Sequence, residues 1–223
     1  MKFFSLVIVL CMLVFSSCTS RLDTMVINNI SEERVFVLEG RSDGVMAELM
    51  CGYRESDYNV NGYSSPLIEF GILTIRFVDT KEFERVNYTL FVGVDKFSGE
   101  MQKNPFEDSY VVDLKTIIYD RQNILIEIDA DAVVYCMKMF SPMIEWTIDS
   151  RRALDIFIDK YSRELKLLVG DNAFGGEIYI KIVGDYDKYG AEYMYYVSCV
   201  DRQGECLSMI VSPKTGNILA SSK

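Results

Sequence analysis

Three carboxylates stand at alternate positions near the middle of the chain: Glu127, Asp129 and Asp131. On an extended strand a two-residue step is about 7 Å, so they share one face. There they could hold Ca²⁺, or divide acid and base roles as a carboxylate-driven hydrolase requires. A solvated strand face explains the same pattern, and we assign it neither a metal nor a catalytic role. Asp185, Asp187 and Gly190 open like a calcium loop. The twelfth position of that loop is Tyr196 where a bidentate Glu is required, so a hairpin turn suffices.

The sequence contains no histidine. This excludes Ser-His-Asp and Cys-His nucleophile activation, HExxH zinc chemistry and every imidazole proton shuttle. The expectation is a non-enzyme with no cofactor and no metal. A net charge of -10 repels a phosphate backbone, so nucleic acid is not expected as a partner. Most of the acidic excess lies before Trp146, which also disfavours polybasic docking of that half on anionic lipid.

Besides Cys18, the cysteines Cys51, Cys136, Cys199 and Cys206 admit three disulfide pairings. If Arg202 and Gln203 are the two turn residues of a hairpin, Cys199 faces Cys206 within bonding reach. Cys51 and Cys136 then remain. Both read as inward: Val45, Ala47, Leu49 and Cys51 alternate on one strand, and Ile124, Ile126, Ile128, Ala130, Ala132, Val134 and Cys136 on another. Buried free thiols in a reducing niche are the competing reading. No CxxC spacing is present, so a structural zinc site is not expected.

The elements that must position these groups are mostly strands. Residues 25–30, 34–38, 45–53, 67–78, 87–94, 110–118 and 124–139 are rich in β-branched and aromatic side chains and are separated by turn chemistry such as Asn61-Gly62. They predict an antiparallel sandwich-like domain over 25–146. Tyr53, Tyr58 and Tyr63 near one loop could stack on sugars or grip a partner; such tyrosines more often cover the end of a sandwich. From Asp149, a good N-cap, Ala153, Phe157, Tyr161 and Leu165 recur at four-residue spacing, which predicts an amphipathic helix of about five turns. Strands over 176–183, 192–200, 206–211 and 217–220 follow, a four-stranded antiparallel meander. Trp146 is expected as a wedge between the two modules.

The chain opens with Lys2 and an apolar run over residues 3–15, too short to span a bilayer and suited to a signal peptide. Ser16-Ser17-Cys18 resembles a bacterial lipobox, which implies cleavage before Cys18 and acylation of its thiol. On that reading residues 1–17 are a signal peptide, 18–24 an anchor and tether, and the body sits on the extracytoplasmic face of a membrane in the cell envelope.

The last third also carries a resemblance. Ile148-Asp149 and Ala153 at the helix start, Tyr195 to Cys199, Gly204 and the closing Ile210-Val211-Ser212-Pro213-Lys214-Thr215-Gly216-Asn217-Ile218-Leu219 look like a PepSY module. The resemblance implies an α+β fold over 147–223 and, since such modules occur in propeptides of secreted peptidases, inhibition of a peptidase supplied in trans. The function expected is a non-catalytic binding module whose partner is an envelope protein, a peptide or a glycan. Trans inhibition of a peptidase and a carboxylate-dependent hydrolase are the alternatives.

Overall fold

Period-two alternation governs most of the chain and builds strands whose apolar faces must be covered. The structure is a computed structural model that describes residues 21–56, 65–78, 82–119, 124–171, 173–187 and 190–223. Helix α1 (Arg21–Ile27) is followed by β1 (Ile30–Ser42), β2 (Val45–Glu55), β3 (Leu67–Phe77), β4 (Val86–Val92), β5 (Asp95–Glu100) and β6 (Gln102–Lys103). Then come β7 (Tyr110–Asp113), β8 (Ile124–Ala130), β9 (Val133–Met139) and a 3-10 turn (Pro142–Glu145). The chain closes with α2 (Ser150–Lys160), α3 (Ser162–Leu167), β10 (Gly176–Asp187), β11 (Gly190–Asp201), β12 (Cys206–Val211) and β13 (Ile218–Ser222).

The expected α+β division, a sandwich-like domain followed by a PepSY-like helix and meander, is overturned. Among the described residues the chain is mostly β, with one nine-stranded mixed sheet and one four-stranded sheet. The large sheet runs β13-β12-β11-β10-β1-β2-β3-β7-β6 and so passes through both halves of the sequence. Strand β10 lies parallel beside β1, with Ile30 opposite Ile178 and Glu33 opposite Ile180. Hairpins leave a local trace in turn residues; a parallel pairing between strands at opposite ends of a chain leaves none.

The four-stranded sheet, ordered β5-β4-β8-β9, covers one face of β1, β2 and β3. Between the sheets lies a first core that includes Leu38, Leu49, Leu73, Leu90, Ile126 and Ile128. On one flank Glu39 and Phe140 exchange backbone hydrogen bonds of 2.8 and 2.9 Å, joining the end of β9 to β1. On the other, β5 runs into β6 through Met101, whose N–H donates to the Val86 carbonyl at 2.8 Å. A bulge between Arg34 and Phe36 shifts the β1–β2 register, and β2 passes so close that a Cβ on Gly52 would lie 2.0 Å from the Glu33 carbonyl oxygen. Only glycine fits there.

A second core is formed by α1, α2 and α3 against β10, β11 and β12, with Val26, Leu154, Phe157, Ile180, Tyr195 and Val211 fully buried. Asp149 caps α2, its Oδ1 accepting the Arg152 N–H at 2.8 Å. The single helix expected over five turns is broken at Tyr161. The hydroxyl of that residue donates to the carbonyl of Ser208 at 2.8 Å or of Ser222 at 3.0 Å, pinning the break to β12 and β13. Residues 25–27, expected in a strand, belong instead to α1, because Leu22 and Val26 sit at helical spacing and bury together.

Candidate functional site

The two cores meet where the chain leaves β9. Ser141 caps the 3-10 turn that Pro142 opens, and Trp146 follows it. The Thr147 and Ile148 N–H groups both reach the Pro213 carbonyl, at 2.9 and 3.2 Å, and the Thr147 hydroxyl donates to the Lys214 carbonyl at 2.8 Å. The β12–β13 turn is thereby fixed against residues 141–148. Gly216, at φ 73°, provides the left-handed residue that the turn needs.

Between these loops and the start of β11 lies a cleft of about 450 Å³. Phe140, Ile144, Trp146, Tyr193, Lys214 and Leu219 line it. Ile144 is 91% exposed, Leu219 56% and Phe140 51%, so the rim is apolar and wet. The half-buried Trp146 ring packs edge-on against Tyr195 at 5.3 Å between centroids, and tilts toward Tyr193 at 6.5 Å. Glu39, Glu145 and Glu192 add carboxylates. Lys214 pairs with Glu145 at 2.9 Å, which holds that carboxyl below its ordinary value and the lysine above its own.

Behind the cleft Tyr193 joins two buried carboxyls. Its hydroxyl donates to Glu48 Oε2 at 3.0 Å or to Glu39 Oε2 at 3.3 Å, and one proton serves one of them at a time. Arg41 approaches Glu39 at 3.8 Å and Arg76 approaches Glu48 at 3.7 Å. Burial pushes the Glu39 carboxyl above its ordinary value, against the pull of Arg41 and Tyr193 and with the help of Glu48. Glu48 and Arg76 also line a second groove of about 400 Å³, so the network forms the wall between two clefts. Such a wall can store a proton and attract a cationic group.

The residues singled out by sequence are scattered. Cys18, Tyr58 and Tyr63 lie outside the described residues. Cys51, Cys136, Cys199 and Cys206 are all free thiols. Cys199 pairs with Leu207 and Cys206 with Val200, because the hairpin turn holds three residues and ends on Gly204 at φ 84°, which slips the expected register by one. Cys199 is therefore buried and Cys206 exposed on opposite faces of the sheet.

Cys51 is buried, its sulfur accepting the Ile118 N–H at 3.4 Å, but Cys136 points outward. The alternation read as continuous from Ile124 to Cys136 is broken at Asp131 and Ala132, with φ 49° and 71°. This two-residue turn pairs Ala130 with Val133, so even positions face inward on β8 and odd ones, Met137 and Met139, on β9. Glu127 and Asp129 share the outward face of β8, and the same turn sets Asp131 apart from them. Asp129 accepts the Ala132 N–H at 3.0 Å, Asp131 accepts those of Arg85 and Glu84 at 2.9 and 3.1 Å, and Glu127 faces solvent. Among the described residues no group of acids and cysteines is placed to hold a metal.

Tyr53 is half-buried and shares a 3.4 Å hydroxyl contact with Tyr119, which pushes its phenol up to about 12. Trp146 packs on Tyr193 and Tyr195 at the border of the second core, and the two modules it was expected to wedge are joined by one sheet that runs through both halves. Glu39 and Tyr193 were missed, although Val37, Glu39 and Arg41 on one face of β1 already show acid and base interrupting an apolar row. No protein-family model, curated protein or solved structure matches this chain.

Proposed function

We propose that the chain is a lipoprotein of the cell envelope, acylated at Cys18, that binds a peptide or protein segment without catalysing a reaction. The cleft at Trp146 carries this reading: it combines an aromatic wall, exposed aliphatic side chains and more carboxylates than cations. Stacked sugars would need flat aromatic faces, whereas Ile144 and Leu219 suit apolar side chains and the acidic rim suits basic ones. Cys18 follows an apolar run of signal-peptide length, and no helix among the described residues is long and apolar enough to cross a membrane. An acylated cysteine would hold the body at the lipid without a span.

Trp146 is the only tryptophan, so tryptophan emission, excited selectively over the 14 tyrosines, reports on the cleft. Titration of the mature protein with extended peptides of mixed basic and apolar sequence should shift that emission saturably. Ile144→Asp should weaken the response at least about tenfold, the effect of losing one well-packed apolar contact at an interface. A flat titration with every such peptide, together with a saturable response to envelope oligosaccharides, would replace this reading by a glycan-binding one.

A further inference from the structure

We infer that the end of the molecule formed by α1, the last turn of α3 and the loop to Asp171 is its membrane-facing surface, with Leu167 entering the lipid interface and Arg21, Arg163 and Lys166 lying on anionic headgroups. The inference rests on the proposed acylation of Cys18 and adds the orientation of the body.

Only Thr19 and Ser20 separate Cys18 from Arg21, and three residue steps reach at most about 11 Å. From Arg21 onward the chain is no loose tether. Leu22 and Val26 are buried in the second core, and Arg21 Nη2 donates to the Asp171 carbonyl at 2.9 Å. A lipid on Cys18 must therefore enter the bilayer beside the residues that surround Arg21.

Those residues have interfacial chemistry. Leu167, four positions before Asp171, is 85% exposed at the end of a helix whose Leu165 is fully buried. Arg163 and Lys166 on the same short helix are also exposed. Across residues 160–168 three basic side chains meet one acid, Glu164, and that acid is paired with Lys223. The chain as a whole carries -10, whereas at this end Arg21, Lys160, Arg163 and Lys166 are balanced by Asp23, Asp159, Glu164 and Asp171, so the surface is near neutral rather than acidic. An aliphatic side chain flanked by arginine and lysine can enter the headgroup layer while the cations stay at the phosphates. The short linker fixes the occupant of this surface as lipid.

Depth-dependent quenching tests the orientation. The acylated full-length protein, with Trp146→Phe to remove the native fluorophore, receives one new tryptophan at Leu167 or at Val94. Val94 is fully exposed in the β4–β5 turn of the four-stranded sheet, which takes no part in the second core. In vesicles of phosphatidylethanolamine and phosphatidylglycerol with brominated acyl chains, Leu167→Trp should be quenched at least threefold more than Val94→Trp. Adding Arg163→Glu and Lys166→Glu should reduce the Leu167→Trp quenching by at least half, with the circular dichroism unchanged. Equal quenching at both positions on a protein whose Cys18 is acylated by mass would overturn the orientation and leave the anchor standing. A mature protein without lipid on Cys18 would overturn the anchor, and the orientation with it.

Discussion

The first core is enclosed between two sheets that are bonded to each other along one flank and continuous along the other, whereas the second is a broad sheet covered by helices on one side and left open at its last strand. The contrast shows in their polar atoms. The first core is mainly aliphatic at its centre, with Tyr88 and an aromatic group of Phe77, Phe83, Tyr110 and Tyr135 at its margin, where the Tyr110 hydroxyl is bonded to the Phe83 backbone. The second accommodates the Tyr161 hydroxyl on two carbonyls and buries the Tyr195 hydroxyl with no hydrogen-bond partner among the described residues. Closure provides rigidity in one half, and the other half, with an exposed edge at β13 and a cleft at its border, offers surface for a partner.

Leu90→Ala in the first core should cost about 3 kcal/mol, since tight closure prevents collapse around the void; urea unfolding would read it as a lowered midpoint. A loss under about 1 kcal/mol would mean that this core is loosely packed. Tyr161→Phe should cost about 1 kcal/mol by releasing β12 and β13 from the helices, and should speed amide exchange in β13. Tyr195→Phe has the opposite sign. Removing a buried hydroxyl that has no partner should raise stability by up to about 1 kcal/mol, and a clear loss would reveal a partner.

The pH dependence sharpens the view of the junction. Burial holds the carboxyls of Glu39 and Glu55 above their ordinary value of 4.5, so the folded chain retains protons that the unfolded chain releases. Their stabilising contribution is complete below that value and is lost as pH rises through it toward the folded values. Glu39→Gln should therefore flatten the decline in unfolding midpoint as pH rises above about 4.5, while Glu55 keeps its own share. An unchanged slope would mean that Glu39 is solvated.

The smallest effect concerns the thiols. Iodoacetamide should label Cys136 and Cys206 in the native protein and reach Cys51 and Cys199 only after unfolding, because burial pushes those two thiols up to about 11 and about 12. A Cys51–Cys136 or Cys199–Cys206 crosslink in the native state would contradict the register of β9 or of the β11–β12 hairpin.

What the sequence made legible was local. The Asp149 cap and the strands β2, β3, β11 and β12 could be located from alternation and turn chemistry. Parity across a turn could not. One residue more in the β11–β12 turn, and one turn unrecognised at Asp131-Ala132, sent Cys206 and Cys136 to the opposite faces from those expected. The β1–β10 pairing was equally invisible, because nothing near Ile30 in the sequence refers to Ile178. The Glu39–Tyr193–Glu48 contact depends on that same long-range arrangement.

The parallel seam has a further consequence for how the molecule is made. Residues 30–33 have no permanent neighbour on one side until residues 178–180 have been synthesised. The segment that emerges first must wait, with an unsatisfied edge, for a strand far downstream. Truncation after residue 146 should thus yield a sticky, self-associating fragment, since the edge at residues 30–33 stays open to the wrong strand until residues 178–180 arrive.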